Sequence, residues 1–276
     1  MKEKIRFAKK AIKAAIAKKM LGPNVCALIV RAENGLFAVD PEDNEVGRQL
    51  RRRGAYGLDE IERLKAHITP DSRVLVVGSH IGTLVIPISR LCKDMVAIEA
   101  NPNTYKLLAM NLAINSIANC KAINIAANDK DEYIDFLLSR ANSGGSKRVP
   151  KVAKYMYYYD KPEKISIKAV SLDKYLDDKC FDIVIMDIEG SEYFALKGMQ
   201  EILSNCKLLA IEFIPDALKY VSGVTVDQFL SVIKPHFTRL TVPSKQQVIG
   251  VSEFNSCLQE MYDKGQIDEG IIFEKI

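Results

Sequence analysis

Apolar positions recur along this chain in two alternating rhythms. From residue 73, short apolar runs predict strands at Val74–Val77, Met95–Glu99 and Lys121–Ala126, and stretches of helical period over roughly 82–93 and Asn103–Ile114 separate them. After residue 180 the alternation resumes. It predicts strands over 182–187 and 207–213, helices over 192–204 and 225–234, and late strands near 237–242 and 270–275. Strands alternating with helices predict an α/β fold: a Rossmann-like, doubly wound, mostly parallel sheet with helices on both faces. A late antiparallel strand is compatible with it.

The ends of this pattern are less regular. Residues 3–20 predict a helix with Ile5, Ala8, Ile12, Ile16 and Met20 near one face and lysines over much of the rest, and Gly22-Pro23 ends it. Packing of that stripe on the domain is the expected reading. A membrane-surface or partner-binding helix is the sharper alternative, and a mitochondrial targeting segment a weaker third. Residues 24–48 predict short strands and turns, including Ala27–Val30 and Leu36–Val39, and residues 58–68 a helix. The expected organisation is a small N-terminal extension over 1–69 and a main domain over 70–276, with an insertion at about 130–170. Within the insertion, Tyr133–Leu138 and Ile165–Val170 predict strands, and Ser139–Pro150 reads as a mobile loop. Tyr155–Tyr159 is expected to join that loop as a lid or acceptor wall, or else to form strand residues packed on the sheet.

Charge sharpens the picture only locally. The net formal charge is +4, yet residues 1–20 hold eight basic side chains and one acid, so the body is slightly acidic. A second basic cluster is Arg51, Arg52 and Arg53. No aromatic-basic stacking platform is evident, which argues against a nucleic-acid partner. The six cysteines are scattered, with no CxxC, and the three histidines stand apart from any cysteine pair. That spacing argues against a zinc site, no metal is expected, and the thiols suit a reduced, cytoplasmic protein.

Three segments carry chemistry. Val74–Gly82 runs a buried strand into a turn with Gly78 and Gly82, where glycine lets a backbone approach a ligand. A branched side chain at 78 is expected to block ligand binding and spare folding. Met95–Glu99 ends a second strand in an acid, placed to accept hydrogen bonds from two ribose hydroxyls. Position 80 is His, so GxGxxG is absent, as is GxxxxGK[ST]. Elimination leaves a nucleoside-sulfonium cofactor as the best ligand. The third segment, Phe181–Glu192, delivers Asp187, Glu189 and Glu192 to one sheet edge, where they could orient a substrate, take a proton or hold a metal. Glu192 could equally serve the first turn of the next helix.

These segments resemble the FkbM family of methyltransferases over about residues 36–215. The family's glycine turn D-x-G-A-N-x-G is similar to Val76–Gly82, with Val76 in place of the acid and His80 in place of Asn. Its acid-Pro strand end resembles Glu99–Pro102, followed by Asn111 and Asn115. Its D-x-E-G-x-E signature matches Asp187–Glu192, followed by Leu196 and Gly198. Gly54–Tyr56 and Ser171–Leu176 resemble two further family elements. The resemblance implies S-adenosyl-L-methionine as cofactor, held by Tyr56, Gly78, Ser79, His80, Gly82, Glu99, Ala100, Asn101, Asn128 and Asp187. It implies methyl transfer to a hydroxyl of a sugar, polyketide or other small acceptor, with Asp187, Glu189 and Glu192 as catalytic candidates. The alternatives are an RNA methyltransferase and an inactive cofactor-binding or scaffold member. Expected partners are a small-molecule or glycan acceptor, with no nucleic acid, and peripheral membrane contact through residues 1–20. Those residues are expected to be dispensable for cofactor binding.

Overall fold

A computed structural model describes residues 2–275. The chain opens with α1 (Lys2–Leu21), then a hairpin of β1 (Leu28–Ala32) and β2 (Gly35–Val39), then α2 (Val46–Arg53) and α3 (Leu58–Lys65). The alternating part follows: β3 (Arg73–Val77), α4 (Val85–Ser89), β4 (Asp94–Ile98), α5 (Pro102–Ile114) and β5 (Cys120–Ile123). The insertion contributes β6 (Ala126–Ala127), β7 (Glu132–Leu138), β8 (Lys147–Arg148) and β9 (Glu163–Val170). The chain then returns through β10 (Ile183–Met186), β11 (Leu208–Phe213), β12 (Arg239–Val242), β13 (Gln247–Gly250) and β14 (Asp268–Glu274).

The main sheet has eight strands in the order β13-β12-β14-β11-β10-β3-β4-β5. β5, β4, β3, β10 and β11 are mutually parallel, and β14, β12 and β13 extend them antiparallel. The expected doubly wound sheet is present, and its order reverses between β3 and β10. At such a switch point the connections leave to opposite sides and a cleft opens at the carboxyl ends of the strands.

Both faces of the sheet are buried, because successive side chains of a strand point to opposite sides. Leu75, Val77, Val184, Met186, Leu209 and Ile211 pack on one face, with the helices of the C-terminal half. Val74, Val76, Ile183, Ile185, Leu208 and Ala210 pack on the other, in one cluster with Phe37 and Val39 of β2, Val46 and Leu50 of α2, and Leu108 of α5.

The hairpin is held there by asparagines. Asn111 is fully buried; its Oδ1 accepts from the Ala38 N–H at 2.6 Å, and its Nδ2 donates to the carbonyls of Ala38 at 3.1 Å and Ile81 at 2.8 Å. One turn later Asn115 repeats this with Leu36, accepting at 3.0 Å and donating at 2.6 Å. Residues four apart on a helix are spaced much like residues two apart on a strand, so two amides treat β2 as an added strand.

Several elements differ from the sequence reading. The helix expected over 82–93 shrinks to α4, since Pro87 lacks a donor and Asn119 Nδ2 takes the carbonyls of Ser89 (2.7 Å) and Cys92 (3.1 Å). The helix expected over 192–204 breaks at Gly198, where a Cβ would lie 1.9 Å from the Asn128 carbonyl oxygen. The strand expected over Lys121–Ala126 divides between two sheets, β5 in the main one and β6 beside β9. The strands and turns expected over 24–48 give way at Val46 to α2, and the helix Phe254–Lys264 was not foreseen. The apolar stripe of α1 does not face the domain: Ile5, Ile12, Ile16 and Met20 are exposed, and Phe7 and Ala14 are buried instead. Among the described residues no helix is long and apolar enough to cross a membrane.

Asn111→Ala is expected to leave two carbonyls and one N–H buried without partners and to cost about 2–4 kcal/mol, at about 1–3 kcal/mol per unsatisfied group with partial relaxation. Urea unfolding measures it; an unchanged midpoint would show that the amide clamp contributes nothing.

Candidate functional site

The cleft at the switch point is built from the carboxyl ends of β3, β4, β10 and β11, roofed by the insertion and by α3. Gly78 lies where β3 ends, beside Asp187 at the end of β10. A Cβ on Gly78 would lie 1.7 Å from the Asp187 carbonyl oxygen, and its φ of +90° disfavours any side chain. Glycine is thus required here for the two strand ends to meet. The expectation that a branched residue at 78 would spare folding is therefore corrected.

The turn after Gly78 is organised by Glu99. Its carboxylate accepts from the N–H of His80 and of Asn101, both at 2.8 Å, so the acid ending β4 pins the glycine turn and the start of α5. The carboxyl lines the cavity, and burial pushes its pKa up to about 7 against those two stabilising bonds. Ser79 and Ala100 also line the cavity, and Ser79 Oγ donates within the turn to Val76 and Ile98 carbonyls.

A set of acids faces this turn. Asp187 opens onto the cavity yet is ringed by protein, and burial together with the Glu189 charge pushes it up to about 6. Glu189 sits in the left-handed region (φ 55°) and accepts from Lys147 Nζ at 2.7 Å. Glu60 of α3 is pushed up to about 7 by burial and by Asp187, and the Tyr56 hydroxyl is raised by burial and the same carboxylate. Glu212, at a bulge in β11, is raised well above the usual range by burial and by Asp187, and its Oε2 is buried without a hydrogen-bond partner. Among the described residues, no Lys or Arg lines the cavity. Ile98, Ile125, Ile134 and Phe136 form an apolar part of its wall, and Thr83, Asn142, Ser143 and Ser191 a neutral polar part.

Four of the expected site residues lie outside the cavity lining. Gly82 faces Leu108, whose Cδ1 would be 2.9 Å from an added Cβ. Asn101 caps α5, accepting from the N–H of Asn103 (2.9 Å) and Thr104 (3.3 Å). Asn128 is buried and joins Lys130, Glu132 and Arg148. Glu192 is buried and accepts from the N–H of Ile188 (3.2 Å) and Gly190 (3.0 Å), so it shapes the turn that aims Glu189. That places Glu192 in the bland alternative stated for it above.

The segment expected to be a mobile loop is a strapped roof. Ser143 Oγ donates to Asp43 and therefore accepts from His80 Nε2, at 2.7 Å. His80 also has positive φ (48°), and burial lowers its pKa, so the ring is neutral. Asn101 Nδ2 donates to Ser146 Oγ at 3.1 Å, Arg140 pairs with Glu42 at 2.8 Å, and the backbone N–H groups of Arg140 and Ala141 bond Asp160. Tyr155–Tyr157 form a 3-10 turn rather than a strand; Tyr157 is buried, and Tyr159 stacks on Phe7 of α1.

Beside the roof, cations lie over aromatic rings: Arg148 over Phe194 at 4.1 Å, Lys154 over Tyr220 at 4.0 Å, Lys147 over Tyr157 at 5.0 Å and Lys151 over Phe194 at 5.9 Å. Lys147 and Tyr157 are buried, whereas the Arg148–Phe194 and Lys154–Tyr220 pairs are half-buried and bring cations and rings together only in three dimensions.

Comparison with known proteins bears directly on this cleft. Residues 77–234 match the Methyltransferase FkbM domain, from the end of β3 through both acid motifs. The chain belongs to the FkbM methyltransferase family. Its 60-residue match to the ribosomal RNA small subunit methyltransferase A of Desulforapulum autotrophicum is 38% identical and covers 22% of this chain and 21% of that protein. An 88-residue match to a probable cobalt-precorrin-6B C(15)-methyltransferase (decarboxylating) of Methanocaldococcus jannaschii is 30% identical and covers 32% of this chain and 47% of that one. The chain therefore matches about a fifth and just under half the length of these curated relatives. It is also similar to a crystal structure of a methyltransferase FkbM from Methylobacillus flagellatus, with 17% identity, a TM-score of 0.43, and coverage of 74% of this chain and 44% of that one. As a member of the FkbM family the chain departs from the family turn at Val76, which lines the cavity as an apolar residue. Glu212, two strands away, brings a carboxyl to the same cavity. The sequence reading missed Glu212, although a lone acid in the apolar run Leu208–Phe213 marks it.

Two outcomes follow. Gly78→Val should unfold or severely destabilise the protein, by more than about 3 kcal/mol, because it drives a branched carbon into a backbone carbonyl. A soluble variant with a normal urea midpoint would contradict the observed strand contact. The second concerns pH. Glu60, Glu99 and Glu192 titrate near 7 in the fold and near 4.5 when unfolded. Above 4.5 the folded chain holds protons that the unfolded chain releases, so stability is full below that pH and declines as pH rises through about 7. The thermal midpoint of the ligand-free protein should fall over this window, and Glu99→Gln should flatten the slope. A midpoint that rises with pH would refute the raised values.

Proposed function

We propose that this methyltransferase uses S-adenosyl-L-methionine and transfers its methyl group to a hydroxyl of a sugar, polyketide or similar small acceptor. One observation carries the cofactor reading: the cleft at the switch point gathers Glu60, Glu99, Asp187, Glu189 and Glu212 beside apolar and neutral polar side chains, and among the described residues its lining includes no Lys or Arg. A pyrophosphate would meet these acids with only Lys147, already paired with Glu189, to offset them, whereas a sulfonium and an ammonium would neutralise them. The unpartnered Glu212 Oε2 fits the same ligand, since a buried acceptor without a donor favours a cationic or donating group.

Glu99 would hold the ribose hydroxyls through lone pairs that its two backbone bonds leave free. Ile125, Ile134 and Phe136 offer apolar surface to the adenine, and Asp187, Glu189 and Glu212 oppose the positive charges. When bound, S-adenosylmethionine supplies an electrophilic methyl group. The chain would align the acceptor and exclude water, and Asp187 would take the proton that the acceptor's O–H group gives up. Glu189, fixed by Lys147, orients the hydroxyl. The strapped segment 139–148 closes the cavity to water. Six free cysteines favour a reducing compartment, in keeping with a cytoplasmic enzyme.

A second reading, RNA as the acceptor, is favoured by the half-buried pairs Arg148–Phe194 and Lys154–Tyr220, because rings and cations together suit stacked, phosphate-bearing strands. Loss of RNA affinity with a steep slope on raising salt would support it, and absence of that binding would remove it.

Calorimetry with S-adenosylmethionine and S-adenosylhomocysteine tests the cofactor. Glu99→Ala should weaken binding by up to about 1.5–3 kcal/mol for each ribose bond lost, and a folded variant of normal affinity would displace Glu99 from this role. Asp187→Asn should keep cofactor affinity and slow turnover by about 10²–10⁴-fold on a hydroxylated acceptor. Full turnover in Asp187→Asn and in Glu189→Gln would make the cluster structural.

A further inference from the structure

Helix α1 has two apolar faces, and the domain covers one of them. On the covered side, Phe7 and Ala14 are buried, Phe7 stacks on Tyr159 with ring centroids 4.8 Å apart, and Lys10 and Lys18 reach inward to Glu45 and Glu42. At 3.6 residues per turn the opposite side carries Ile5, Ile12, Ile16 and Met20. These are 49%, 58%, 51% and 81% exposed. Arg6, Lys9, Lys13 and Lys19 lie within and along this outer face, and all four are exposed. From Lys4 to Leu21 the sequence has no carboxylate. Among the described residues, no acid pairs with Lys9, Lys13 or Lys19. The helix therefore presents an isoleucine stripe edged and interrupted by free cations, on the side away from its own domain.

We infer that α1 docks by this face on an anionic lipid surface, lying in the plane of the interface with the isoleucines among acyl chains and the lysines at the headgroups. The pattern discriminates among partners. Nucleic acid would satisfy the cations and leave four large apolar side chains in water. A second copy of the helix would cover the isoleucines but bring Lys9 and Lys13 of each copy into one seam, where like charges repel. A lipid interface accommodates both, because lysine stems lie along apolar surface while their ammonium groups reach the headgroups. Glu45, which anchors Lys10, also lines the cavity. Docking by α1 thus sets the cleft beside the membrane surface.

Co-sedimentation of the full chain with vesicles tests the assignment. It should bind vesicles of phosphatidylcholine and phosphatidylserine in equal parts, and bind pure phosphatidylcholine at least about tenfold more weakly. The double variant Ile12→Glu, Ile16→Glu should lose about tenfold or more in affinity for the mixed vesicles, with its thermal midpoint unchanged because both positions are exposed. Lys9→Gln with Lys13→Gln should erase the preference for the anionic lipid. No binding to the mixed vesicles, or binding that survives the isoleucine changes, would overturn the inference. So would a dimer in sedimentation velocity, or retention of an RNA oligonucleotide, that the isoleucine variant loses while the wild type ignores vesicles.

Discussion

The carbonyl oxygen of Asp187 occupies the space that a side chain on residue 78 would need, 1.7 Å from where its Cβ would stand. This approach is possible because β3 and β10 are parallel neighbours and end at the same level. Much of the site depends on it. With residue 78 reduced to a hydrogen, the turn can fold over the ends of the strands, present the His80 N–H to Glu99, and open the cavity between the acid strand end and the acid loop. A second approach of the same kind, Gly198 on the Asn128 carbonyl, seats the helices that follow β10 against the insertion. Both contacts are backbone against backbone, so no neighbouring rotamer can relieve a substitution.

The cavity is an electrostatic debt held by a rigid frame. Asp187, Glu189, Glu212, Glu60 and Glu99 converge there, and Lys147 is paired with Glu189 alone. Burial and mutual repulsion raise the pKa values of most of these acids, which destabilises the ligand-free fold above mildly acid pH. Such a concentration persists because the surrounding structure is over-determined: two asparagines of α5 hold β2, and the sheet is buried on both faces. Perturbed acids in a cleft mark a binding or catalytic site.

The roof over this cleft shows how a segment of turn-forming residues becomes structure. Ser139–Pro150 has the composition of a loop, yet its hydroxyls and amides are nearly all engaged: with Asp43 and His80 through Ser143, with Asn101 through Ser146, and with Asp160 through the backbone at Arg140 and Ala141. Small polar residues leave the chain free to bend, and fixed acceptors at Asp43 and Asp160 with fixed donors at His80 and Asn101 select one bend. The aromatic-basic surface beside it arises in the same way, from cations in the insertion and rings on the segments near 194 and 220.

Hydrophobic period and turn chemistry alone determined the mostly parallel sheet, the glycine turn, and the acids at 99, 187 and 189, because each is a local pattern whose burial is written along one stretch of chain. Tertiary structure decided whatever depends on a partner distant in sequence. Glu212 became a cavity acid through a bulge beside β14, the cofactor candidates Asn101 and Asn128 and the catalytic candidate Glu192 took hydrogen bonds outside the cavity lining, and Ser143 met His80 and Asp43 across 63 and 100 residues. The direction of α1 was decided there too. Periodicity shows that a helix has an apolar stripe but not which of two stripes will be covered. Lys10 and Lys18 finding Glu45 and Glu42, with Phe7 against Tyr159, turned the longer stripe outward.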